Sequence, residues 1–299
     1  NRLCRIRRTG ITIWSQWAER GRVYFKPGQE YQYHTTVGPY TPHTRVVLRG
    51  NVLDDIAGDG ILVTTCKGAL IEHNVASNCN AYNGQAYGDA NVAIWPQNCD
   101  DVVMQYNEAY LTHSTQDGQG FDLDFELYRP VVQYNYSHDN EGGFLLVMEE
   151  VYDPVIRYNI SVRDGHALFD MRSTNNVQIY NNTFDMGSSR IFRAGCQGAT
   201  LTNNLFLCRE AVCPDWGQAA YDHNAYTGVV PPEADAAAVV GDPGLEASGQ
   251  ADVGRDSAAG YRLQAGSPLQ GAGAEVPDCG PHDFFDAPVQ TPPSIGAAQ

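Results

Sequence analysis

The stretch "GFDLDFEL", residues 120–127, sets Asp122, Asp124 and Glu126 at alternate positions, with Phe121, Leu123, Phe125 and Leu127 between them. Successive side chains of a strand point to opposite faces. The apolar set therefore fills a core while the three acids share one outer face. Crowded carboxylates raise one another's pKa unless a proton, a cation or a substrate relieves the repulsion. Two chemistries use such a row. In glycosidic hydrolysis one carboxyl stays protonated as the acid while a second, ionised, activates water. In β-elimination, calcium on hard oxygen ligands neutralises a uronate and a base then removes a ring proton. The blander reading is a solvated acidic face, and the elements around the row decide between them.

Those elements repeat. "RVVLRGN", "GALIEHN", "DVVMQYN", "PVVQYN", "PVIRYN", "VQIYNN", "ATLTNN" and "AAYDHN" are short apolar alternations ending in Asn51, Asn74, Asn107, Asn135, Asn159, Asn182, Asn204 and Asn224. The spacings run 23, 33, 28, 24, 23, 22 and 20 residues, a solenoid period with insertions on one side. A second strand precedes each Asn strand, as in "GILVTT", "NVAIWP", "FLLVMEE", "ALFDMR" and "RIFRAG". A third short segment follows it, as in "YSHDN". Three short strands per turn predict an all-β fold, a single-chain right-handed parallel β-helix with a structural asparagine ladder and an irregular C-terminal tail. Asn135, Asn159 and Asn181 also begin glycosylation sequons, and an inward ladder position bars a glycan at the first two.

The units "QYNYSHDNEGG" and "RYNISVRDG", with the tail "GDPGL…YRLQAGSPLQGAGA…DFFDAPVQTPPSIGAAQ", resemble the pectate-lyase-like superfamily of secreted polysaccharide lyases and glycoside hydrolases. The likeness covers about residues 45–299. It implies a cleft over the first sheet, walled by the loops that lead into it. Here the long insertions precede Val92 and Phe121, which sets the acidic row beside a loop.

Counting back from the ladder puts Asp124 and Arg193 eleven residues before their Asn and Asp170 twelve before its own. A one-residue slip aligns all three on one outer row, with Glu126, Glu149 and Arg172 as a second. Asp124 and Asp170 are then two rungs apart, about 9.6 Å between backbones. Side-chain lean brings such a pair into the roughly 6.5–9.5 Å range of an inverting glycosidase. The expected catalytic pair is Asp124 and Asp170, with Asp122 and Glu149 as competitors. Arg172 and Arg193 would orient the sugar, His113, His138 and His166 would line the cleft edge, and Trp95 would stack on a ring. The hydrolase reading calls for no cofactor. The lyase alternative puts calcium on Asp122, Asp124 and Glu126, with Arg172, Arg193 or His166 as base. A non-catalytic glycan-binding protein is the third reading. "GDG" at 58–60 and "DGQG" at 117–120 read as turns, and no phosphate loop, HExxH or GxSxG is present.

Composition narrows the partners. A formal net charge of −16, with Lys26 and Lys67 the only lysines, argues against nucleic acid and anionic membranes. No apolar run approaches the roughly 20 residues that span a bilayer. The expected partner is a polysaccharide or oligosaccharide, and the chain is expected to act as a monomer. Eight cysteines without a CxxC pair suit a secreted protein with some disulfides, reduced buried thiols being the alternative. The opening "NRLCRIRRTG" lacks an initiator Met, as a processed or trimmed form would. Cys66 and Cys99 each stand eight residues before a ladder Asn, on successive rungs within disulfide reach, and Cys208 and Cys213 can close a small loop. Residues 1–44 are expected to form a cap or first rung, 45–226 the β-helix, and 227–299 an extended capping segment of the same domain.

Overall fold

The computed structural model describes residues 1–14, 40–82, 90–114, 116–173, 175–186, 190–193, 195–212, 214–250 and 252–299. Three parallel sheets run side by side along one solenoid. The first holds Ile11–Ile13, Ile61–Thr64, Ile94–Gln97, Gln119–Leu123, Gly143–Val147 and Phe169–Met171. The second, of eight strands from Val47–Arg49 to Ala220–Asp222, carries the segments that end in Asn. The third has ten strands, from Arg2–Ile6 to Val239–Val240. Among the described residues the pairings between these strands are parallel and join consecutive turns of the chain, as in Val103↔Val131↔Val155.

Inward residues of all three sheets make one continuous core, including Ile61, Ile94, Phe121, Leu145 and Phe169 from the first and Phe184 and Phe206 from the third. Between the second and third sheets the chain turns a corner at each Asn. The residue before each Asn is left-handed: Gly50, His73, Tyr106, Tyr134, Tyr158, Asn181, Asn203 and His223 have φ between 49° and 65°. That corner leaves main-chain groups without strand partners, and the Asn side chains take them. Each Nδ2 donates to the Oδ1 of the next rung at 2.8–3.0 Å, unbroken from Asn51 to Asn224. Asp235 ends the ladder, accepting from Asn224 Nδ2 at 2.9 Å and Tyr226 Oη at 2.8 Å. The expected β-helix and its ladder are both present.

The outer face of the third sheet is apolar, with Tyr136, Ile160, Val162, Leu205 and Leu207, and the C-terminal segment covers it with Leu245, Ala258, Tyr261, Phe284, Ile295 and Ala297. At the other end, Arg2–Ile6 pairs with Val52–Ile56 as a regular rung. One expectation changes. Among the described residues no cysteine pair is oxidised: Cys66 and Cys99 do sit on successive rungs, but as thiols, with Cys66 N–H donating to Cys99 Sγ at 3.3 Å. Each thiol donates back across the turn to the last residue of the preceding first-sheet strand, to Thr64 O at 3.3 Å and Gln97 O at 3.1 Å. Cys213, and so the Cys208–Cys213 loop, lies outside the described residues.

Candidate active site

The acidic stretch is not a strand throughout. The strand stops at Leu123, and residues 124–126 turn toward a short strand, Leu127–Tyr128. Glu126 occupies that corner with φ 60°, which takes it out of the row. Asp122 pairs with Leu146, and Leu146 with Asp170; Phe169 pairs with Phe192, so Arg193 continues the row. Trp95 precedes it, since Ile94 pairs with Phe121. The outer row thus reads Trp95, Asp122, Leu146, Asp170, Arg193. Two residues further along each strand stand Gln97, Asp124, Met148 and Arg172.

The expected row of Asp124, Asp170 and Arg193 is therefore corrected to Asp122, Asp170 and Arg193, with Asp124 beside Arg172. The reason is the turn between the first and second sheets, which shortens along the solenoid. Asp122 stands 13 residues before Asn135, Asp170 12 before Asn182 and Arg193 11 before Asn204. The second predicted row also dissolves, because Glu149 lies exposed beyond the strand that ends at Val147. Among the described residues no three His, Cys, Asp or Glu side chains converge as a metal site, and the corner at Glu126 takes it off the strand that carries Asp122.

The histidines separate. His138 lies in the third sheet, 2 % exposed and stacked between Tyr110 and Tyr136. Its ring nitrogens meet Glu108 Oε1 at 3.1 Å and Asp139 Oδ2 at 2.9 Å, a packed network away from the first sheet. His113 stands on the loop that enters the acidic strand, with Nε2 at 2.7 Å from Asn78 Oδ1 and Nδ1 at 3.0 Å from Glu141 Oε1. His166 is exposed at a left-handed corner, three residues before the Phe169–Met171 strand.

Two acids outside the expected catalytic set, Asp117 from the long loop and Asp59, complete the cluster. Asp117 ends the same loop, and Gly118 follows it at φ 101°, where a Cβ would meet His113 O and Ser114 Cβ, each at 2.7 Å. Asp59 lies under Trp95, accepting from the indole Nε1 at 2.9 Å and from Val92 N at 3.1 Å. Both stand in the glycine turns "GDG" and "DGQG". An acid in a turn that leads directly into a first-sheet strand is the signal that identifies them.

The cluster is electrostatically strained. Burial raises Asp59 above the usual carboxylate range. Burial, with the neighbouring Asp124 and Asp117 charges, pushes Asp122 well above it. One Asp122 oxygen is buried with no protein partner. Desolvation brings Asp117 to about 6 and Asp124 to about 7, with Asp117 adding repulsion at Asp124. Asp170 is held differently: Arg172 donates to both its oxygens, at 3.2 and 3.0 Å, and Arg193 Nη1 lies 3.4 Å away. Trp95, Asp117, Asp124 and Arg172 are each half-buried and reach the surface, whereas Asp122 and Asp170 are buried. The arrangement can deliver a proton from one carboxyl and keep another ionised near neutrality.

Residues 36–206 match the family model described as "Right handed beta helix region". The chain belongs to the right-handed β-helix family. Within it, the chain is 31% identical over 304 aligned residues to a lacto-N-biosidase of Bifidobacterium longum subsp. longum, an alignment that covers 86% of this chain and 19% of that protein. This β-helix thus spans about a fifth of the relative's length. Its fold is similar to that of XylC in complex with xylose, with a TM-score of 0.58 and 16% identity over 84% of this chain and 49% of the other. The pectate lyase Pel9A aligns with a TM-score of 0.50 and 14% identity, covering 85% and 65%.

Proposed function

We propose that this β-helix carries the active site of a glycoside hydrolase, cleaving a glycosidic bond of an oligosaccharide or polysaccharide in a cleft over its first sheet. One observation carries the reading: Asp117 and Asp124 combine access to the surface with pKa values raised to about 6 and about 7. The likeness to a lacto-N-biosidase supports hydrolysis and makes a lacto-N-bioside the first substrate to try. Asp124, the carboxyl with the higher value, is the general acid and donates its proton to the glycosidic oxygen as the bond to the anomeric carbon breaks. Asp117, ionised at a lower pH, supplies the second carboxylate, either activating water or attacking the anomeric carbon. Asp170 takes the supporting place, because its carboxylate is occupied by two arginines. Asp122, kept neutral, offers its proton to a substrate hydroxyl, and Trp95 gives the ring an apolar face.

The test is turnover of an aryl lacto-N-bioside, of other aryl glycosides and of neutral and uronate-containing polysaccharides, with and without chelator. Release of sugar should survive the chelator and fall by at least about a thousandfold in Asp117→Asn and in Asp124→Asn, with folded spectra retained. Chelator-sensitive formation of unsaturated uronates would replace the reading with a lyase. Saturable glycan binding without turnover would replace it with a binding protein.

A further inference from the structure

We propose that Arg193 is a positioning residue for Asp117, tying the loop that carries this acid to the sheet row that carries Asp170. The inference rests on the hydrolase reading for its consequence in catalysis, but its structural content stands apart from it. Asp117 lies just before the strand that carries Asp122, and Arg193 lies three rungs further along, about 14 Å in backbone spacing. Yet Arg193 Nη1 donates to Gln116 O at 2.8 Å while remaining 3.4 Å from Asp170 Oδ2. The guanidinium therefore bridges a main-chain carbonyl next to Asp117 and a buried carboxylate that is itself fixed by Arg172. Both contacts are made by Nη1, and the planar guanidinium fixes the directions of its two N–H bonds, which the freely rotating ammonium of a lysine does not.

The near end of the loop is held separately. Glu141 accepts from Ser114 N at 2.8 Å and pairs with His113, and Gly118 N donates to Asn91 O at 3.0 Å. Arg193 is the contact that reaches across the intervening rungs, so it sets how far Asp117 leans over the Asp170–Arg172 pair. Its positive charge also favours the ionised form of Asp117, a second route by which it acts on the same group.

The experiment compares wild type with Arg193→Gln and Arg193→Lys, using Arg129→Gln as control because Arg129 pairs with Asp101 at 2.7 Å at an exposed corner beyond the Leu127–Tyr128 strand. Amide hydrogen exchange of residues 111–118 and the pH dependence of glycoside hydrolysis are both followed. In Arg193→Gln, exchange in that loop should speed up, kcat should fall about ten- to a hundredfold with KM nearly constant, and the acid limb should move above its wild-type position. Arg193→Lys should restore the limb but not the rate, since it returns the charge without the planar guanidinium that fixes the direction of the donors. Unchanged loop exchange in Arg193→Gln overturns the proposal. So does a rise in KM with kcat and the pH limb unmoved, which would make Arg193 a substrate contact. Faster exchange in Arg193→Gln, with no hydrolysis by wild type on any glycoside, would keep the clamp and overturn the hydrolase reading instead.

Discussion

Asp122 is buried with one oxygen unpartnered and its pKa pushed well up, so the folded chain binds its proton more tightly than the unfolded chain. Stability from such a group is present below the unfolded value of about 3.9 and is lost as pH rises through the folded value. Asp59 and Asp124 act in the same direction. Asp122→Asn, which removes the ionisation and keeps the shape, should therefore raise the melting temperature at about pH 8, by on the order of 1–3 kcal/mol of stability, and change little at about pH 4. Thermal melts at the two pH values check this. Activity should follow a different curve. Asp117 must be ionised and Asp124 protonated, so kcat/KM should be bell-shaped, with limbs near 6 and 7. These limbs belong to the interacting pair rather than to either residue alone. A profile still rising at about pH 9 would contradict Asp124 as the acid.

At the scale of elements, the corner before each Asn governs the fold. Asn135 Oδ1 accepts from both Asn107 N and Asn107 Nδ2 at 3.0 Å, and its own Nδ2 donates to Met104 O at 2.9 Å. Asn135→Ala leaves the buried main-chain N–H of Asn107 without its acceptor and the Asn107 side chain with Ile71 O alone, at a cost of about 2–4 kcal/mol. A denaturant melt of that variant should show the loss, whereas Asn176→Ala, at an exposed corner where Asn176 Nδ2 meets Asp153, should cost under about 1 kcal/mol. The same burial decides the sequons. Asn135 and Asn159 are ladder residues, and Asn181 is fully buried under the tail, donating to Ser294 O at 2.8 Å. Expression in a glycosylating host should leave all three unmodified in the folded protein, as peptide mass mapping would show.

For the whole molecule, the decisive contact is the C-terminal segment on the third sheet. Without it Tyr136, Ile160, Val162, Leu205 and Leu207 would form an apolar face open to water. Gly254 N donates to Glu108 Oε1 at 2.6 Å, and Tyr261 Oη to Asp185 Oδ2 at 2.6 Å, so polar groups fix where the apolar ones dock. Removing residues 241–299 should expose that face, and dye binding and a broadened thermal transition should report it. The acidic row lies on a different sheet, so the tail stabilises the scaffold without entering the chemistry proposed for it.

The β-helix was legible from the chain because its signals are local and repeat. Each rung carries an alternation, a corner and an Asn, and the same short-range hydrogen bonds recur at Asn74, Asn107 and Asn135. The sequence by itself therefore determined the three strands per turn, the ladder and the first sheet as the place of the acids. It also brought Trp95, Asp124, Arg172 and Arg193 to that sheet. Tertiary structure alone decided which acids share a row. Register across rungs depends on turn lengths that drift by one residue, and a one-residue drift carries a side chain into a different place. Asp59 and Asp117 depended on it still more. Their place comes from glycine turns and a long insertion, which do not repeat, and their pKa values come from burial that only the assembled rungs create. His138 shows the converse: it follows its ladder Asn as regularly as any turn residue, and only the packed third sheet and its covering tail reveal that it faces away from the acids.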